Sequence, residues 1–289
     1  MISFNDYCRS RFGEKLYKIS LNAGMSCPNR DGKLGFKGCI FCSEGGSGDF
    51  AADPADPMDI QIEKAKARVS GKYNGSRFIA YFQAFTNTYA PVDVLENIFF
   101  PVITREDIAA ISIATRPDCL EDEKLELIYR LNKVKPVFVE LGLQTTNDRS
   151  AEYIRRGYKL EIYDKAVTEL ESHGIHTVTH VILGLPGETR DDMLRTVEHV
   201  VKTGGSGIKL QLLHVLKGTD LAGDFEKGLF QVLTLDEYVS ILKDCCSLLP
   251  GNMVVHRLTG DGPKSLLIAP KWSSDKKRVL NRIKKELTS

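Results

Sequence analysis

The chain lacks an excess of charge of either sign: 39 Lys and Arg against 38 Asp and Glu leave +1 over 289 residues, so overall composition implies no polyelectrolyte partner. It also lacks an apolar run long enough to cross a bilayer, and no apolar signal segment follows Met1; both absences predict a soluble protein with no membrane partner. No internal repeat and no long linker is present, which excludes a solenoid and a string of tethered modules. With 42% hydrophobic and 27% charged residues the chain is neither disordered nor collagen-like. Seven cysteines are an odd number and too sparse for a disulfide-stapled miniprotein. The expectation is a reducing, cytoplasmic setting in which thiols are buried, metal-binding or catalytic.

What is there is an alternation of short apolar strands and amphipathic helices. Strands are predicted at Leu16 to Leu21, Phe78 to Gln83, Ile108 to Ala114, Val137 to Leu143, Thr177 to Leu183 and Ile208 to Leu213. Helices are predicted at Met58 to Ser70, Leu120 to Leu131, Ile162 to Ser172 and Asp191 to Lys202, with acidic first turns or glycine stops. That order gives six parallel βα units, an α/β architecture. A helix at Leu235 to Leu248, a short strand at Met253 to His256 and a tail follow. From Lys271 the last 19 residues hold seven Lys or Arg against two acids, with Val279, Ile283 and Leu287 on one helical face. We divide the chain at residue 222, into a barrel and a C-terminal extension ending in a basic helix.

Cys27, Cys39 and Cys42 form a Cys-x11-Cys-x2-Cys pattern in the loop after the first strand. Gly32, Gly35 and Gly38 let that loop fold round a bound centre. A structural zinc site needs four ligands; a fourth would have to come from elsewhere, for example Cys8. Three thiolates on a [4Fe-4S] cluster leave one iron open to an exogenous ligand. Cys8, Cys119, Cys245 and Cys246 read as structural thiols. Glu44-Gly-Gly-Ser-Gly48 lacks the Lys-Ser/Thr ending of a phosphate loop and reads as a flexible continuation. Strand phase puts Glu140 and Gln144 on one face of the fourth strand, and Lys209 and Gln211 on one face of the sixth; with the aliphatic residues against helices, these four face a barrel interior.

With Phe41 just before its last cysteine, this loop resembles that of the radical S-adenosylmethionine superfamily, although the superfamily's usual first spacing is much shorter. The fragments Thr115-Arg-Pro-Asp118, Val139-Glu-Leu-Gly-Leu-Gln-Thr145, Arg156-Gly157, His180-Val-Ile-Leu-Gly-Leu-Pro186 and Lys217-Gly-Thr219 resemble, in order, the radical domain of the Elongator catalytic subunit. Ala114 stands where related enzymes often carry Glu. The resemblance implies a partial (β/α)6 barrel, a [4Fe-4S] cluster on Cys27, Cys39 and Cys42, and S-adenosylmethionine cleaved by one electron to a 5'-deoxyadenosyl radical. It implies cofactor contacts from Phe41, Gln83, Glu140, Gln144, Arg156 and His180, and an electron donor such as flavodoxin or ferredoxin. Gln83 and Gln144 read equally as amides satisfying strand ends, Arg156 as a partner of a surface acid and His180 as a core residue.

The Elongator-like domain acts at C5 of the tRNA wobble uridine. Cys27-Pro-Asn-Arg30, His256-Arg-Leu-Thr-Gly-Asp-Gly-Pro263 and Pro270-Lys-Trp272 also resemble a family of small bacterial radical enzymes tied to that nucleoside's aminomethyl-type side chain. tRNA is therefore the expected substrate, met by Lys209, Gln211, Arg257, Lys271 and Trp272, the last able to stack on a base. The alternatives are a radical enzyme on a small metabolite or peptide, or a non-catalytic iron-sulfur or zinc protein that touches nucleic acid.

Overall fold

The structure, a computed structural model, describes residues 1–71, 73, 75–260 and 262–287. Asp261, within the fragment running from His256 to Pro263, lies outside the described residues. The chain runs β1 (Ile2–Ser3), α1 (Phe4–Phe12), β2 (Tyr17–Leu21), α2 (Met58–Val69), β3 (Phe78–Phe82), α3 (Val92–Ile103), β4 (Ile108–Thr115), α4 (Asp122–Val134), β5 (Val137–Gln144), α5 (Asp148–Tyr153) and α6 (Leu160–Ser172). It continues through β6 (His176–Leu183), α7 (Arg190–Thr203), β7 (Gly207–Leu212), β8 (Val215–Leu216), α8 (Asp220–Glu226), α9 (Leu235–Ser247), β9 (Val254–Arg257), β10 (Leu267–Ala269) and α10 (Lys276–Leu287).

Strands β2 to β7 pair in parallel and in chain order, and β9 then β1 extend the sheet beyond β7, giving eight parallel strands. The sheet curls into a partial barrel. Lys209 on β7 reaches the Tyr81 hydroxyl on β3 at 3.2 Å, whereas four strand spacings of about 4.8 Å would separate these strands in a flat sheet.

Alternation along the strands sorts the side chains. Val137, Val139 and Leu141 join Ile208, Leu210 and Leu212 in the main core with Tyr163, Val167, Leu170 and Val197 of the helices outside. Phe138 and Val178 turn inward, forming a smaller cluster with Cys8 and Leu16 that Phe4, Tyr7 and Phe12 of α1 cover. Helix α1, which the polar start of the sequence did not reveal, closes the N-terminal end of the barrel: Ser3 caps it and Gly13 (φ 79°) ends it. Its polarity conceals the three aromatics that do the packing. The predicted helices recur with shifted ends, joined by α3, α5 and α8. Helix α10 forms as expected, with Val279 and Ile283 buried and Leu287 against the core. No described helix is long and apolar enough to cross a membrane.

Candidate active site at the barrel mouth

The cysteine loop leaves β2 at the C-terminal edge of the barrel, the end where parallel barrels place their chemistry. Its own side chains and two other stretches of chain brace it. The Asn29 amide donates to the Arg155 carbonyl (2.7 Å) and to Cys39 Sγ (3.4 Å). The Arg30 guanidinium donates to the Cys42 and Ser43 carbonyls (3.0 and 2.6 Å). Arg116 forms a two-pronged pair with Asp118 (2.9 and 2.8 Å) over the Tyr158 ring, and its charge acts on Cys39 and Cys27. The fragments around Asn29, Arg116 and Arg156 thus meet round one thiol.

Burial pushes the Cys39 thiol up to about 12, the neighbouring Cys42 and Cys27 add to the rise, and Arg116 and Asn29 oppose it. A buried thiolate at Cys39 therefore needs a cationic centre beside it to compensate its charge. Cys27, Cys39 and Cys42 are one ligand short of the four that a structural zinc site takes, whereas three thiolates can hold a [4Fe-4S] cluster with one iron left open. Cys8, Cys119, Cys245 and Cys246 are buried and unpaired by disulfides.

The segment from Glu44 to Gly48 is not slack. Gly46 and Gly48 close turns onto Ser43 and Gly45, Phe85 N donates to the Gly46 carbonyl (2.9 Å), and Ser43 Oγ reaches both Asp49 oxygens (2.9 Å each). A Cβ on Gly46 (φ 62°) would stand 2.4 Å from the Phe85 ring, so this turn needs glycine. The segment that composition marks as flexible is thus shaped by local turns and joined to the rest of the chain through Phe85.

Below the loop the lumen is polar. Glu140, whose side chain is 0% exposed, accepts from Lys18 Nζ (2.5 Å), Ser112 Oγ (2.7 Å) and His180 Nε2 (2.7 Å), and pairs with Lys209. Despite desolvation, the charges of Lys18 and Lys209 and the His180 hydrogen bond hold the Glu140 carboxyl well below the usual carboxylate range. Burial lowers Lys209 to about 7 against the pull of Glu140, with Lys18 and Arg257 adding to the fall. Burial and Lys209 take His180 down to about 4, so it donates to Glu140 as a neutral imidazole. Burial, then Glu140, raises the Tyr81 hydroxyl well above its usual value. Ala114 lies in register opposite Glu140 on the adjacent strand, so the lumen acid stands on β5. Lys18, Tyr81 and Ser112 escaped the sequence reading; phase within β2, β3 and β4 is the signal that places them beside Glu140.

Two amides stand further up the same walls. Gln83 and Gln211 lie two residues beyond Tyr81 and Lys209, half-buried, their side chains without hydrogen bonds among the described residues. Phe41 packs beside Ile154, Ile182 and Leu185 at the rim.

The remaining expected site residues are engaged within the chain. A register shift between Gly142 and Gln144, with Gln144 at φ 64°, breaks the alternation, and the Gln144 amide turns back to donate to the Leu143 and Gly142 carbonyls (2.9 and 3.1 Å). Arg156 is buried and donates to the Thr145 and Tyr158 carbonyls (2.6 and 3.1 Å); among the described residues it has no surface acid as partner. Arg257 pairs with Lys209 in the β7–β9 register, and its charge reaches Tyr81. Trp272 packs on Tyr238 and donates to the Leu233 carbonyl (3.0 Å), and Lys271 donates to the Leu267 carbonyl (3.1 Å).

An open parallel barrel with three thiols in the loop after its first long strand and a charged, hydrogen-bonded lumen has the architecture of an enzyme built round a metal-sulfur centre. The chain belongs to the Radical SAM superfamily, whose sequence model matches residues 27–200, while that of the Radical SAM C-terminal domain matches residues 206–289. The cofactors are accordingly a [4Fe-4S] cluster and S-adenosylmethionine. The chain is 45% identical over 285 residues to YtqA of Bacillus subtilis (strain 168), covering 99% of this chain and 88% of that protein. It is 25% identical over 162 residues to the tRNA uridine(34) acetyltransferase of Methanocaldococcus jannaschii, covering 55% of this chain and 29% of that protein. In fold it is similar to archaeal Elp3 of Methanocaldococcus infernus, with a TM-score of 0.70 and 16% identity over 94% of this chain and 63% of that one.

Proposed function

We propose that this radical SAM enzyme modifies the C5 side chain of the wobble uridine of tRNA. Cys27, Cys39 and Cys42 hold the cluster, and Phe41, Gln83 and His180 face S-adenosylmethionine. When bound, the two cofactors supply a 5'-deoxyadenosyl radical able to abstract hydrogen from a substrate carbon. The chain's own part is to bind, orient and exclude water. Arg156, Gln144 and Glu140 hold the wall: the first two tie down the end of β5, and the third fixes Lys209 and His180 in place.

One observation carries the substrate reading. Gln211 offers a donor-acceptor amide without a side-chain partner among the described residues, above the Lys209–Glu140 floor. A uracil edge presents a donor between acceptors and matches such an amide, whereas a purely apolar substrate would leave it unsatisfied. The likeness to a tRNA uridine(34) acetyltransferase and to Elp3 supports the same reading. Exposed Lys276, Lys277, Arg278, Lys284 and Lys285 on α10 suit a phosphate backbone, with Arg257 and Lys271 nearer the barrel.

The test compares tRNA nucleosides, by mass spectrometry, from cells with and without the gene. A changed wobble-uridine side chain supports the proposal, and an unchanged profile refutes it. Anaerobically reconstituted protein, carrying about four iron per chain, should in addition release 5'-deoxyadenosine with reductant.

A further inference from the structure

We propose that the finger formed by residues 31–37 of the cluster loop is the docking surface for a small, acidic electron-transfer protein. All of these residues except Gly35 are exposed. Phe36 is 80% exposed, the most of any large apolar side chain among the described residues, and Leu34 is 50% exposed.

The finger is braced. Gly32 N donates to the Gly35 carbonyl (3.1 Å), Leu34 N to that of Pro28 (2.8 Å) and Gly38 N to that of Asn29 (2.8 Å). The Phe36 ring lies over Gly32, 2.8 Å from where a Cβ would stand. Apolar area displayed to water in a fixed shape gains nothing within the monomer, yet it lowers the ordering cost of an association. The braces end on Pro28, Asn29 and Gly38, immediately beside Cys27 and Cys39, so a protein seated on the finger lies against two of the cluster's three ligands. There it loses one electron and the [4Fe-4S] centre gains it.

Charge selects the partner. Lys33 and Lys37 flank the apolar pair, and Lys33 also sits 5.3 Å over the Tyr89 ring. The finger's acid, Asp31, is engaged by the Lys33 backbone N–H (3.1 Å) and the Tyr89 hydroxyl; Asp220 close by is paired with Arg155 and also meets the charge of Lys37, and Glu121 meets that of Lys33. An apolar centre rimmed by cations matches a protein face rimmed by carboxylates. A phosphate track needs the cations but not the Leu34–Phe36 centre.

This inference rests on the cofactors and not on the tRNA reading, so the primary test contains no RNA. Cluster-reconstituted protein is titrated calorimetrically with oxidised flavodoxin and, separately, with ferredoxin. S-adenosylmethionine cleavage is then followed as 5'-deoxyadenosine with the reduced carrier or with dithionite. Phe36→Ser and the double variant Lys33→Glu/Lys37→Glu should each weaken carrier binding about tenfold. The lysine pair should also account for the salt dependence of binding. Carrier-driven cleavage should fall in step, and dithionite-driven cleavage should stay unchanged. Three results overturn the proposal: neither carrier binds the unaltered protein, carrier affinity is unchanged in both variants, or dithionite-driven cleavage is lost equally. A fall in tRNA affinity with carrier affinity intact would reassign the finger to RNA.

Discussion

Replacing Glu140 by Gln keeps the side chain's shape and removes the one carboxylate shared by Lys18, Lys209 and His180. Lys209 is only 6% exposed, and a lysine brought from its ordinary 10.5 to about 7 carries roughly 5 kcal/mol of unfavourable burial even with Glu140 beside it. Breaking a buried pair by removing one partner costs about 3–5 kcal/mol, a large share of the roughly 5–15 kcal/mol of a whole fold. The loss depends on pH in a definite direction. Below about pH 7 Lys209 is charged in both the folded and unfolded protein, so its attraction to Glu140 is fully present. Between 7 and 10.5 the folded protein holds a neutral amine while the unfolded chain keeps its proton, so the original protein gains stability as pH rises. In the variant nothing holds the proton, and the neutral amine persists to lower pH. The deficit from Glu140→Gln, measured by urea unfolding of the cluster-free protein, should be about 3–5 kcal/mol at pH 6 and about 1–2 kcal/mol smaller at pH 9. His180 at about 4 is neutral throughout that range. Equal deficits at the two pH values would refute the reasoning, because Lys209 would then not be held as a charge by Glu140.

Changing any one of Cys27, Cys39 or Cys42 to Ala should abolish iron loading and 5'-deoxyadenosine release, whereas Cys119→Ala or Cys245→Ala should leave both largely intact; iron analysis of the purified variants checks this. Arg156→Met leaves the buried Thr145 carbonyl without its donor and should cost about 1–3 kcal/mol in urea unfolding; full stability with loss of cofactor affinity would assign it to the cofactor instead. Trp272→Ala removes a ring packed on Tyr238 and should lower stability by about 3–5 kcal/mol. An unchanged melting temperature with weakened tRNA binding would show that Trp272 stacks on RNA. Gly46→Ala should impair cluster loading through its clash with Phe85, read from iron content and circular dichroism together.

Legibility followed the range of the interactions. The six βα units could be read because apolar phase and helix stops are local: Thr189 with Asp192 builds the capping box of α7, and Gly204 (φ 85°) ends that helix three residues beyond Val201. The same phase foresaw Glu140 and Lys209 on inner faces. It failed at Gln144, where a register shift and a left-handed backbone turn the amide away, and an irregularity of that kind leaves no periodic signature. The resemblance implies Arg156 and Trp272 as site residues; the donations of Arg156 to the Thr145 carbonyl and of Trp272 to the Leu233 carbonyl are contacts that only folding brings about.

By itself the sequence determined the chemistry on offer: three thiols in one loop, an α/β alternation, and a +1 balance that conceals a basic terminal helix. Those properties reside in residue identity and short spacing. Only the tertiary structure decided which groups meet. Arg116 and Arg155 converge on the cluster loop from two other parts of the chain, and Lys18, Glu140 and Lys209 share one buried charge network across β2, β5 and β7. The curl of the sheet brings those strands within a side chain's reach, and burial between them replaces water's screening with direct pairing. The near absence of net charge is thus a property of the whole chain, and where charge acts was settled by folding.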